Sequence, residues 1–105
     1  MKRTLINELA VLINNLTDAD FKSPENDEED IYNYLNCDKA DEIEELAAGC
    51  LIESGKPDYE AMKLLMSSCP QILDIGPGDK DSFGWITGVI EIKGNDGGLN
   101  AIVYG

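Results

Sequence analysis

The sequence predicts an α+β domain in which three to four N-terminal helices are followed by a small antiparallel β-sheet of two or three strands. Three observations carry that expectation. Apolar residues recur at helical spacing up to about residue 70, the period then shortens to two, and glycine-rich turns separate the later runs. With 105 residues and a 43% hydrophobic share, the chain is one domain long and has enough apolar material for a packed core.

The elements follow in order. Leu5, Ile6, Leu9, Leu12, Ile13 and Leu16 place one apolar stripe on a helix from about residue 3 to 16. "SPENDEED" then predicts a second helix, with Ser23 as cap, Pro24 in the first turn and acids behind it; Ile31, Tyr34 and Leu35 form its narrow buried face, ending near Asn36. Asp38 is the expected cap of a third helix, whose stripe is Ile43, Leu46, Ala47, Cys50 and Leu51 and whose end is marked by "SGKP". Pro57 opens a fourth, burying Tyr59, Met62, Leu65 and Met66, and Pro70 closes it. Beyond it, "QILDI" reads as a short strand and "GPGDKDS" as a loop. "FGWITGVIEIKG" alternates, with Ile86, Gly88, Ile90 and Ile92 on one face and Trp85, Thr87, Val89 and Glu91 on the other. "NDGG" is a hairpin-type connection to "LNAIVYG", a strand that would leave an exposed edge.

Charge narrows the functional classes. The net charge of −13 repels nucleic acid and anionic membrane surfaces, and leaves basic proteins, basic peptides and cations as ligands. Residues 1–75 hold 17 acids against 6 bases, whereas residues 76–105 hold 4 against 2, so the acidity belongs to the first three-quarters. Cys37, Cys50 and Cys69 form no CxxC and there is no histidine, which fits free, buried thiols in a reducing compartment. The interrupted apolar pattern of "MKRTLINELAVLINN" predicts a helix and not an export signal, so the cytoplasm is the expected location.

Catalysis and metal binding are poorly served. Without histidine there is no Ser–His or Cys–His pair and no imidazole base, so the expectation is a protein that is not an enzyme and takes no cofactor. Residues 18–29 offer Asp18, Asp20 and Glu29 at calcium-loop spacing, but Lys22 and Ser23 stand where an oxygen ligand and glycine belong. "DKDSFG" puts Phe83 at a ligand position, and "GPGDKDSFG" lacks the GK[ST] ending of a phosphate loop.

The unusual stretch is residues 25–45, with ten carboxylates and one cation, Lys39. Acids near a helix start complement its dipole, which accounts for Glu25, Asp27, Asp41 and Glu42, but not for Glu28, Glu29, Asp30, Glu44 and Glu45. General solubility explains the quantity of charge but not its concentration. A docking face for a basic partner explains both, since opposing cations relieve the repulsion and such a field raises association rates by about 10–10³-fold. In that expectation Asp27, Glu28, Glu29, Asp30, Glu44 and Glu45 meet the partner's cations, Tyr32 packs as an anchor, and Asp41 and Glu42 form the rim.

Through "DEEDIYNY" and "DEIEE", carried as an acidic helical surface, the chain resembles bacterial immunity proteins, and among them those of contact-dependent growth inhibition systems. The resemblance lies in size, acidity and organisation. It implies stoichiometric neutralisation of a cognate basic toxin domain, a ribonuclease in preference to a deoxyribonuclease, by a monomer that covers the active site in a 1:1 complex. Three rivals remain: a DNA-mimicking inhibitor of a DNA-binding protein, a regulatory or adaptor module that binds through an apolar surface such as the sheet face bearing Trp85 and Val89, and a calcium-binding domain.

Overall fold

Three helices form one layer and a five-stranded mixed sheet the other, with the apolar stripes of the helices meeting one face of the strands. The computed structural model of the protein describes residues 2–23, 32–80, 86–94 and 98–105, residues 77–80 and 86 by their backbone alone. Helix α1 (Lys2–Asn14) buries Ile6, Leu9, Ala10 and Ile13, the i, i+3, i+4, i+7 set of its stripe. Leu5 stays at the surface, 36% exposed. A 3₁₀ turn (Asp18–Asp20) follows, fixed by the Thr17 N–H donating to Asp20 Oδ2 at 2.8 Å.

The first departure from expectation comes next. β1 (Phe21–Lys22) pairs antiparallel with β2 (Tyr32–Leu35), and β2 pairs parallel with β7 (Leu99–Tyr104). The second helix expected to run to Asn36 is therefore a strand over 32–35. "YNYL" is short, aromatic and alternating, and its neighbours in the sheet supply the ladder that a helix would have found within itself. Ser23 is not a helix cap: its hydroxyl donates to Asn33 Oδ1 at 2.7 Å. The rest of that helix, Pro24 to Ile31, lies outside the described residues.

Helix α2 (Ala40–Leu51) buries Ile43, Ala47, Cys50 and Leu51 as expected, but its N-cap is Lys39 in place of Asp38 and no side chain caps it. It ends at Leu51, earlier than "SGKP", because a hairpin of β3 (Ile52–Glu53) and β4 (Lys56–Pro57) turns through Ser54 and Gly55. Both turn residues have positive φ, 53° and 74°, the requirement of a two-residue hairpin. Asp58, not Pro57, starts α3 (Tyr59–Ser68): its carboxylate accepts from the Ala61 N–H at 3.1 Å. Met62 and Leu65 are buried in α3, whereas Tyr59, expected inside, is 61% exposed.

The strands after residue 70 are longer and more connected than expected. β5 (Ile72–Lys80) takes in most of the expected loop and pairs antiparallel with β6 (Ile86–Lys93), with register shifts at Ile72/Asp74 and Gly76/Asp79. β6 pairs antiparallel with β7 from Gly88↔Tyr104 to Lys93↔Leu99, as the alternation predicted. The sheet order is β1-β2-β7-β6-β5. The expected architecture is thus corrected on three points: strands precede α2, a hairpin separates α2 from α3, and the large sheet has five strands including a parallel pair. β7 is not an edge either, since β2 and β6 flank it.

One core joins the layers. Ile72, Ile75, Ile90, Ile92, Ile102 and Tyr104 of the sheet pack with Ile6, Leu9, Ile13, Ile43, Leu51 and Leu65 of the helices. Gly88 makes room for this packing, because a Cβ there would overlap the Tyr104 ring. The ring crosses β6 and its hydroxyl donates to the Gly76 carbonyl of β5 at 3.1 Å, tying three strands together. At the other end of β7, Asn100 is the buried polar residue, 4% exposed. Its Nδ2 donates to Asp18 Oδ1 at 3.2 Å and its Oδ1 lies 3.5 Å from Asn33 Nδ2, so each polar group that burial takes from water has a protein partner.

Candidate functional site

The described part of the acidic segment falls in two places. Tyr32, at the start of β2, pairs with Leu99 at the start of β7. Asp41, Glu44 and Glu45 instead line a cleft of about 540 Å³ with Ala48, Thr87, Tyr104 and Gly105, at the end of β7. Those two places are separated by the six-residue length of β7, roughly 17 Å of extended strand.

Helix geometry gathers the three carboxylates. Positions 41, 44, 45 and 48 share one side of α2 through i, i+3 and i, i+4 spacing, and α2 packs on β7 through its buried side. Glu44 is half-buried, while Asp41 and Glu45 are exposed. Burial pushes the Glu44 carboxyl above its ordinary value of 4.5, and the nearby Asp41 charge pushes it further the same way. Among the described residues no ion pair reaches this cleft; those that form join Lys2 to Glu53 and Asp58, away from it. Burial raises the Tyr104 phenol beside the cleft to about 12 and holds it neutral.

Two further expected contact residues are described, and neither lines the cleft. Glu42 instead lines a groove shared with α1. Tyr32 donates its hydroxyl to Glu91 Oε1 at 2.6 Å and stacks at a tilt beside Tyr34, 6.2 Å between ring centroids. Asp27, Glu28, Glu29 and Asp30 lie outside the described residues, as do Phe83 and Trp85. Comparisons with protein-family models, with curated proteins and with solved structures find no match for this chain.

Chemically, the cleft is anionic. It offers carboxylate acceptors and no imidazole, and no group of three or more metal-ligating side chains gathers among the described residues. Asp18 and Asp20, read as possible calcium ligands, are engaged by Asn100 and by the Thr17 backbone. The thiols of Cys50 and Cys69 are buried, and burial raises both, Cys69 to about 11, which keeps them protonated and unreactive at neutral pH. No helix among the described residues is long and apolar enough to cross a membrane. Thr87 and Tyr104 were missed as site residues because no local pattern reveals which strand end meets α2.

Proposed function

We propose that the protein is a non-enzymatic inhibitor of the immunity type, which binds a basic nuclease toxin domain inside the cell and covers its active site. A ribonuclease is the preferred target class. One observation supports this above the others: the fold collects Asp41, Glu44 and Glu45 around a cleft and leaves Glu44 partly desolvated beside a second anion. A cationic side chain from a partner lowers that cost and gains charge-assisted hydrogen bonds. A nuclease carries the matching feature, a basic groove for phosphates.

The corrected geometry narrows the contact. Within the described residues, the α2 carboxylates at the end of β7 are the docking centre, and Tyr32 belongs to the sheet face at the other end. Titration calorimetry with candidate toxin domains tests the proposal. Binding should weaken steeply as salt rises and should fail in the triple variant Asp41→Lys, Glu44→Lys, Glu45→Lys. A complex that forms equally well with that variant would remove the cleft from the contact. Binding that is insensitive to salt would favour the apolar adaptor class.

A further inference from the structure

A second surface borders α2 beside the acidic cleft. Thr4, Asn7, Glu8, Val11 and Leu12 of α1 and Glu42 of α2 line a groove of about 460 Å³. Thr4, Glu8 and Val11 stand one turn apart along α1, on the side away from Ile6, Leu9 and Ile13. Val11 is 59% exposed although it is a β-branched aliphatic residue on a well-formed helix, and Leu12 is half-buried. The charged side chains lining the groove are two carboxylates, Glu8 and Glu42.

We propose that this α1–α2 groove seats an apolar side chain from a cationic, amphipathic helical segment of the partner, with that segment's lysines or arginines against Glu8 and Glu42. The inference rests on the inhibitor function proposed above and adds a second point of contact on the same partner. Charge complementarity selects the occupant. An apolar floor between acidic rims suits an apolar anchor flanked by cations. A second copy of this chain would bring a net charge of −13 against the same acids, and an acidic helix would do likewise. Because Glu42 faces the groove while Asp41, Glu44 and Glu45 face the cleft, a partner straddling the first turns of α2 engages both.

The test uses a synthetic amphipathic helix of leucine and lysine as probe, followed through the protein's amide resonances. The expected result is that shifts centre on residues 4–12 and on Glu42. Val11→Asp, at a site open enough to leave folding intact, should weaken binding by about tenfold or more, the scale of losing one buried aliphatic contact. Glu42→Lys should weaken it less. Equal binding by Val11→Asp, equal binding of a lysine–serine peptide, binding of a leucine–glutamate peptide, or self-association through this face each overturns the proposal. Calorimetry with a toxin that the wild type binds separates the two surfaces. Loss by both Val11→Asp and the lysine triple variant supports both. Loss by the triple variant alone refutes the groove and keeps the cleft. Loss by Val11→Asp alone refutes the cleft and keeps the groove, and loss by neither refutes both.

Discussion

Helices α2 and α3 both begin among carboxylates, and the fold treats the two sets in opposite ways. At α3, Asp58 caps the helix, accepts from Ala61 N–H and pairs with Lys2, which also holds Glu53 at 2.9 Å. The Lys2 hydrogen bond is the main cause that holds the Asp58 carboxyl below its ordinary 3.8. At α2, Asp41 and Glu42 occupy the first turn with no side-chain cap, and Glu44 is raised by burial. One set of acids is used up in tying α1, the β3–β4 hairpin and α3 together. The other is set on a helix, with no ion pair among the described residues. The same residue type therefore marks structure in one corner and, in the proposed function, recognition in the other.

The largest expected effect separates these roles. Reversing Asp41, Glu44 and Glu45 to Lys should abolish partner binding and leave thermal stability intact, whereas Asp58→Ala should leave binding nearly unchanged. Calorimetry and thermal melts on both variants decide it, and a binding defect in Asp58→Ala would break the contrast. Next in size, Asp58→Ala should destabilise the fold by about 1–2 kcal/mol in urea titrations, the usual cost of losing an N-cap carboxylate.

The pH dependence should have opposite signs at the two places. Asp58 is lowered from 3.8, so its contribution is present above that pH and is lost as pH falls through the lower folded value. Glu44 is raised from 4.5, so its favourable state is the neutral one, present below 4.5 and lost as pH rises through the raised value. Glu44→Gln should thus be more stable than wild type at pH 7, with the gap closing below pH 4.5. Asp58→Ala should be less stable at pH 7, with its gap narrowing below pH 3.8. The smallest effect concerns the hairpin that carries Glu53. Ser54, at φ 53°, sits where glycine is unstrained, and Ser54→Gly should add about 0.5–1 kcal/mol in the same titrations.

What the sequence revealed depended on the range of the interaction that decides each element. The stripe of α1, the stripe of α2 and the β6–β7 pairing rest on local period and a nearby turn, and each was legible. "YNYL" suggests a helix because Pro24 and the acids before it resemble a helix start, while the strand's parallel partner lies far along the chain, Asn100 being 67 positions after Asn33. The Asp38 cap and the Pro57 helix start failed by one residue each, since the choice between neighbouring caps depends on backbone geometry that Lys39 and Asp58 satisfy. Glu44 and Glu45 stand out in the sequence as acids beyond the needs of the dipole. Their cleft was not, because it exists only where Tyr104 and Thr87 dock beside α2.

The parallel pairing of β2 with β7 also has a consequence for biosynthesis. A chain leaving the ribosome presents β2 well before β7, and the strand that completes its ladder is the latest of those in the sheet. Until it emerges, β2 has only the two-residue β1 beside it, and closing so long a loop is an entropic cost met late. The three helices, whose contacts are nearer in sequence, can associate earlier. Newly made molecules would accordingly acquire their helical layer first, and the acidic cleft would open for business only after synthesis of Leu99–Tyr104 is finished.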